Sequence, residues 1–193
     1  MAGTTKTRLI PALGADGAAA LHRRMAEELW AMLTGYARQN RVQIEVCFDG
    51  ADAAALRRWL PGAAGYTPQG EGDLGKRMRH AFDRALTGND QPVLAIGSDC
   101  PALSPLHLTA AISGLHGHDL VLGPALDGGY YLIGLNRPKP LLFAEINWGS
   151  GMVLSQTMAR AEAMGLNTLL LEPLPDVDRP EDLAHLGDHP NPQ

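Results

Sequence analysis

The sequence predicts a single α/β domain built on a parallel β-sheet, and two apolar runs carry that prediction. The first run, Val93–Ile96, is too short for a free-standing helix and lies between Pro92 and Gly97. Such a run is typical of a strand buried on both faces of a parallel sheet. The second run, residues 120–122, ends at a Gly-Pro pair. A chain of 193 residues with 45% hydrophobic content is long enough for one domain, expected over residues 1–187 with a flexible tail at 188–193.

A carboxylate follows each of these runs. Asp99 comes directly after the first, and Asp127 opens a glycine-rich turn after the second. A third acidic group, with Asp176 and Asp178, follows the last predicted strand. Ligands of open α/β sheets bind outside the carboxyl ends of the strands, where glycines allow close approach to the backbone. Each acid could instead form a turn or cap a helix, but together they predict a site for a divalent metal and phosphates.

The remaining elements follow from periodicity and from breaker residues. A helix is predicted where Leu21, Met25 and Leu29 recur at helical spacing, and a strand where Val46 and Phe48 belong to an alternating run. The expected helices cover residues 18–38, 51–60, 78–86, 105–115 and 152–164, and the expected further strands cover residues 42–48, 130–135 and 169–171.

Composition and charge exclude several classes of function. The formal net charge of −5 leaves no basic surface typical of a nucleic-acid-binding domain. No apolar run approaches the ~20 residues of a membrane span. The N-terminus has no hydrophobic signal region, so a cytoplasmic protein is expected. Cys47 and Cys100 have no CxxC partner and are expected to be reduced packing residues. The oligomeric state is left open.

Two stretches are candidates for binding a nucleotide. Near the N-terminus, Gly3 with Lys6 and Arg8 could form a phosphate-binding loop, although a short basic terminus is more often an ordinary solvated end. A glycine-rich stretch before a helix is a second candidate, and a flexible connector is an equal alternative. Its residues of interest are Gln69, Gly70, Gly75 and Arg77. Because phosphate loops of α/β folds normally follow the first strand, that strand is missing here and is expected upstream of Met1.

Six motifs in order give the chain a family resemblance. They are G-x-x-K-T-R-L, Q-G-x-G-D-L-G-x-R-M, G-S-D-C-P-x-L, G-P-A-x-D-G-G-Y-Y-L-I-G-L, I-x-W-G-S and D-V-D-x-P-E-D-L. The set resembles the rSAM/selenodomain-associated transferases, glycosyltransferase-like proteins of which some are linked to arsenosugar biosynthesis. The resemblance extends more distantly to 2-phospholactate guanylyltransferase and molybdenum cofactor guanylyltransferase. It implies a GT-A-like, Rossmann-like fold of the nucleotide-diphospho-sugar transferases, with a mostly parallel sheet flanked by helices.

The resemblance also implies roles for residues. The N-terminal loop (Gly3, Lys6, Arg8) would face the nucleotide phosphates, and the stretch 69–77 would help to hold the nucleotide. Asp99 would be catalytic and would bind Mg²⁺ or Mn²⁺ together with Asp178 and Asp176. Asp127, also catalytic, would border the acceptor with Tyr130 and Trp148. Arg179 stands where the family usually has a threonine cap, a change that costs about 1 kcal/mol.

The reaction implied by the resemblance is metal-dependent transfer of a sugar from a nucleotide-diphospho-sugar to a small-molecule acceptor. One alternative is nucleotidyl transfer from a nucleoside triphosphate to a phosphorylated small molecule. The other is a truncated, non-catalytic nucleotide-binding module.

Overall fold

The computed structural model describes residue 3 and residues 5–88 and 90–186; the predicted tail at 188–193 lies outside them. The described residues form five α-helices: α1 (Ile10–Asn40), α2 (Ala53–Trp59), α3 (Leu74–Leu86), α4 (Pro105–Gly114) and α5 (Val153–Ala163). The strands are β1 (Glu45–Phe48), β2 (Gly65–Pro68), β3 (Val93–Ile96), β4 (Leu120–Pro124), β5 (Tyr130–Leu135) and β6 (Thr168–Leu170). Each predicted element is found, and β2 is an additional strand that the sequence analysis did not predict.

The strands form two sheets. In the four-stranded sheet the order is β3-β5-β4-β6, with β4 parallel to β6 and β5 antiparallel to both β3 and β4. The expected parallel sheet is therefore mixed. The reason is the five-residue connection between Pro124 and Tyr130, because parallel neighbours need a crossover of a dozen or more residues. Strands β1 and β2 pair in parallel in the second sheet, joined through α2.

The four-stranded sheet separates two apolar cores. Alternate side chains of a strand point to opposite faces. One core lies against α4 and α1 and includes Leu94, Ile96, Val121, Leu132, Leu108 and Tyr36. The other lies against α3 and α5 and includes Leu120, Leu122, Ile133, Leu135, Phe82 and Ala161. The sheet is therefore covered on both faces, as in the predicted α/β layering.

Strand β3 is less buried than its sequence suggests. All four of its residues are only half-buried, whereas every residue of β4 is buried. The difference follows from position, because β3 lies at the end of its sheet and pairs only with β5. No strand precedes α1 among the described residues, and the expected upstream strand stays a prediction.

Helix α1 begins eight residues before the predicted start and is kinked at Gly14, whose φ of 69° and ψ of 168° are not helical. Its N-terminal part is held by a third, small core. Leu9, fully buried, packs there with Leu21, Met25 and Val177. This core joins the beginning of the described chain to its end. Within the part of the chain that the structure describes, no helix has the length and apolar character needed to cross a membrane.

Candidate functional site

The topology explains why distant acidic residues meet. Strands β3, β4 and β6 run in the same direction, so their carboxyl ends lie at one edge of the sheet. Asp99 follows β3, Asp127 follows β4, and Asp176 and Asp178 follow β6. A cavity of about 280 Å³ opens at this edge. Arg8 and three of these four aspartates line it, and Asp99 is joined to Asp178 through Lys6.

Lys6 is a buried cation at this edge. Its side chain is only 4% exposed, and its Nζ lies 2.9 Å from Asp99 Oδ1 and 3.5 Å from Asp178 Oδ1. The same ammonium donates a hydrogen bond of 2.6 Å to the backbone oxygen of Val177. Lys6 has a left-handed backbone (φ 52°) directly before the 3-10 turn that ends at buried Leu9. The third core therefore fixes the lysine where two carboxylates compensate its charge, which a buried ammonium requires.

Arg8 is a second cation at this edge and, unlike Lys6, it is exposed. Its Nη1 lies 2.6 Å from Asp178 Oδ2, and 56% of its side chain remains accessible. Because it also lines the cavity, its guanidinium can meet an anion there while it keeps the contact with Asp178. Gly3 is exposed and has a positive φ of 82°. Its role at the nucleotide phosphates stays a prediction.

Two further carboxylates, those of Asp127 and Asp176, line the cavity. Burial raises the pKa of Asp176, and the nearby Asp127 carboxylate raises it further. Asp127 accepts a hydrogen bond of 2.7 Å from the amide of Gly129, which orients it in the β4–β5 turn. Among the described residues neither carboxylate has an ion-pair partner within 4 Å. These two acids are therefore available to a ligand.

Glycines shape the wall of the cavity. Gly128 has a φ of 89°, and a Cβ atom at this position would collide with the backbone oxygen of Gly151. The Gly128 oxygen also accepts a hydrogen bond of 2.9 Å from the amide of Leu154, at the start of α5. The acidic turn thus packs directly on the loop 149–151, which lines the same cavity.

The glycine-rich stretch forms a separate polar cluster at the carboxyl ends of β1 and β2. Arg77 Nη1 lies 2.7 Å from Asp49 Oδ2, and its Nε donates 3.0 Å to the backbone oxygen of Gly72. Gln69 accepts a 3.4 Å hydrogen bond from the same guanidinium. Gly70 has a φ of 83°. Arg77 therefore braces this loop, and the nucleotide-binding roles predicted for the stretch stay predictions.

Gly75, Trp148 and Tyr130 meet in the core between α3 and α5. A Cβ atom on Gly75 would lie 2.8 Å from both the Phe143 backbone oxygen and the indole Cε2 of Trp148. The Trp148 and Tyr130 rings pack edge to face with centroids 6.5 Å apart. None of these three residues lines the cavity. Burial raises the pKa of Tyr130, and its interaction with the Thr157 hydroxyl partly offsets that rise. The acceptor roles of both aromatic residues stay predictions.

Two further residues belong to the site and were missed in the sequence. His22 of α1 is close enough to Asp99 and Lys6 to interact with both charges, and burial lowers its pKa. Its helical spacing of four residues from buried Ala18 and from buried Ala26 was the available signal. Asp182 accepts hydrogen bonds from the amides of Asp178 (3.0 Å) and Arg179 (2.7 Å). It thereby makes the reciprocal half of a capping box, from the third residue of the turn that begins at Pro180 back to the amides before it.

Comparison with known proteins places the chain in a family. Residues 32–150 match the model of DUF2064, described as "Uncharacterized protein conserved in bacteria". The chain belongs to the DUF2064 family. It also resembles a crystal structure from Desulfovibrio desulfuricans G20, described as a "putative nucleotide-diphospho-sugar transferase". The identity is 32% over 97% of this chain and 82% of the other, with a TM-score of 0.89.

More distant structures share the fold alone. CMP:2-keto-3-deoxy-manno-octonic acid synthetase complexed with CTP is 12% identical, with a TM-score of 0.55 over 84% of this DUF2064 chain and 85% of its own. Rv0371c from Mycobacterium tuberculosis H37Rv is 18% identical, with a TM-score of 0.54 over 83% of each chain. The search of curated proteins found no match. The predicted nucleotide-diphospho-sugar transferase-like fold is confirmed, whereas the rSAM and arsenosugar association stays a prediction.

Proposed function

We propose that this DUF2064 protein transfers a sugar from a nucleotide-diphospho-sugar donor to a small-molecule acceptor. The observation that carries the proposal is one cavity lined by the exposed guanidinium of Arg8 and by two carboxylates, Asp127 and Asp176, that have no ion-pair partner among the described residues. A diphosphate leaving group needs cations, and an acceptor hydroxyl needs a base. The 32% identity to the Desulfovibrio protein, over nearly the whole chain, supports the same assignment.

Arg8 is the residue proposed to meet the diphosphate. Its guanidinium is more than half exposed and presents several N–H donors, which suit bidentate contact with phosphate oxygens. Negative charge grows on the diphosphate as the bond to the sugar breaks. A cation already fixed at that position by Asp178 stabilises this charge with little reorganisation.

Asp176 is the residue proposed to take the acceptor proton. Its raised pKa makes its carboxylate a stronger base than an ordinary aspartate, and Asp127 beside it contributes to that shift. In this step the hydroxyl oxygen of the acceptor bonds to the sugar carbon, the bond to the diphosphate breaks, and the hydroxyl proton moves to Asp176.

A divalent ion belongs to this proposal through Asp99 and Asp178. Their carboxylates, with the Val177 backbone oxygen, are hard oxygen donors, and they already converge on one cation, the Lys6 ammonium. Among the described residues no group of three or more His, Cys, Asp or Glu side chains could hold a metal. Two carboxylates nevertheless suit Mg²⁺, which takes its other ligands from water and phosphates. Such an ion would neutralise charge on the leaving diphosphate.

Product analysis tests the proposal. Purified protein is incubated with UDP-, GDP- and ADP-sugars and, separately, with the four nucleoside triphosphates, and the release of nucleoside diphosphate or pyrophosphate is measured. Nucleoside diphosphate from a nucleotide sugar, lost in Asp176→Asn, is the expected result. Pyrophosphate release would support the nucleotidyl-transfer alternative. The triphosphates are included because the chain shares its fold with the CTP-bound synthetase. Failure of every nucleotide to bind in calorimetry would contradict both reactions.

A further inference from the structure

We propose that Lys6 and a divalent cation are alternative occupants of one position between Asp99 and Asp178, so that the cation enters only when Lys6 leaves. This inference rests on the proposed function, because a nucleotide phosphate is the ligand that would draw Lys6 away. It concerns the order of events at the same site.

Three oxygen atoms surround the Lys6 ammonium. They are Val177 O at 2.6 Å, Asp99 Oδ1 at 2.9 Å and Asp178 Oδ1 at 3.5 Å. Two carboxylates and a carbonyl are the donors that a hard divalent ion prefers. The ammonium therefore stands where such an ion would take the same oxygens. The Lys6 side chain is only 4% exposed, whereas the side chains of Asp99 and Asp178 are 48% and 31% exposed.

The two cations exclude each other for electrostatic and steric reasons. A divalent ion bound by the same oxygens would lie within a few ångströms of the ammonium, where like charges repel strongly in a partly buried site. Arg8 imposes no such exclusion, because it contacts the other oxygen of Asp178, Oδ2, and is 56% exposed. Among the described residues, Lys6 is the cation that pairs with both carboxylates.

The consequence is an ordered site. Without a phosphate, Lys6 pairs with Asp99 and Asp178 and keeps their affinity for divalent ions low. A phosphate oxygen competes for the ammonium and can itself complete the shell of an incoming ion. The predicted affinity of the free protein for metal is therefore limited by Lys6 rather than by a shortage of oxygen ligands.

The test measures Mn²⁺ binding alone, by electron paramagnetic resonance titration of the whole chain without nucleotide. Lys6→Met removes the ammonium and keeps an unbranched side chain of similar length. We expect it to bind Mn²⁺ about tenfold more tightly than the unmodified protein, or better, because cation–cation repulsion at a few ångströms exceeds the ~1.4 kcal/mol of a tenfold change. Lys6→Met combined with Asp99→Asn should lose that gain.

A matched control removes the same charge elsewhere. Lys139 also contacts a carboxylate, Asp119 at 3.7 Å, just before β4 and thus at the other end of the sheet. Lys139→Met should leave the affinity for Mn²⁺ unchanged. Equal affinities in the two single variants, or a gain that survives Asp99→Asn, would overturn the proposal. If Lys6→Met does not melt cooperatively, Lys6→Gln is titrated under the same criteria. Because no nucleotide is present, these outcomes do not depend on whether the protein transfers a sugar.

Discussion

Gly75→Ala gives a sharp test of the contact between α3 and Trp148. The added methyl group would lie 2.8 Å from the Phe143 backbone oxygen and from indole Cε2, and closer still to indole Nε1. Real Cβ atoms do not approach other atoms this closely, so either the indole or the backbone must move. Trp148 is held by Tyr130, and Phe143 is buried, so neither moves freely.

The expected loss of stability follows from two opposed effects. Overpacking of a well-packed core costs about 1–3 kcal/mol. Alanine stabilises a helix interior by up to ~1 kcal/mol relative to glycine. The gain is smaller at Gly75, because it is the second residue of α3. The net cost is about 1–2 kcal/mol, which for a chain of this size lowers Tm by roughly 2–8 °C.

The assay is thermal melting followed by circular dichroism, with Gly35→Ala as the matched control. Gly35 lies inside α1, and a Cβ atom there would meet nothing within 4 Å. This control should raise Tm, because only the helix propensity changes. Trp148→Phe should relieve part of the Gly75→Ala loss, because the smaller ring leaves space for the methyl group. A Gly75→Ala protein that melts at or above the temperature of the unmodified chain would refute the reasoning.

Three further predictions concern the charges of the site. Because the pKa of Asp176 is raised in the native state, its ionisation destabilises that state at pH values above the ordinary aspartate pKa of 3.8. Asp176→Asn should therefore raise Tm at pH 7, and the gain should fade as the pH falls toward 3.8. Arg8→Ala should change Tm little, because an exposed ion pair contributes about 0–1 kcal/mol, but in calorimetry it should weaken nucleoside diphosphate binding far more than nucleoside binding. Asp99→Asn should lower the free energy of unfolding by about 1–2 kcal/mol in thermal melts, because it removes the nearest counter-charge of buried Lys6. The loss should be smaller than the ~3–5 kcal/mol for breaking a fully buried ion pair, because Asp99 itself is 48% exposed.

Each of these predictions has a control on the same chain. Asp16→Asn, an exposed change on α1, removes one negative charge and should not reproduce the pH-dependent gain. Arg24→Ala breaks another exposed ion pair of α1 and should leave nucleotide binding intact. Lys6→Met should restore part of the Tm lost in Asp99→Asn, since it removes the buried ammonium that has lost its nearest counter-charge. A gain in Tm for Asp176→Asn that persists at low pH would contradict the first prediction. Equal losses of nucleoside diphosphate and nucleoside binding in Arg8→Ala would contradict the second. The third would be contradicted by a double variant, Lys6→Met with Asp99→Asn, that is no more stable than Asp99→Asn.

The sequence predicts the order of elements well because most of them are specified locally. Strands β4 and β5 are continuous apolar segments, and α4 begins at a Ser-Pro pair that fits a helix start. The direction of β5 follows from the length of the turn before it, which the prediction of a parallel sheet did not take into account. Strand β2 has four residues and ends in Pro68, so it carries too little pattern to be recognised. The exposure of β3 depends on its lateral neighbours, which its own residues do not specify.

Several residues that line the cavity could be selected from the sequence, but their contacts could not. Strand-end acids and N-terminal cations can be found in the sequence, because carboxyl ends of strands and glycine-rich turns mark ligand sites. The pairing of Lys6 with the segment at Val177 joins residues 171 positions apart, and no local pattern encodes it. It depends on the third core, where Leu9 and Val177 are both fully buried. The cations and the C-terminal acids thus hold their positions through one apolar contact between the two ends of the described chain. The charge balance of the site is therefore a property of tertiary packing.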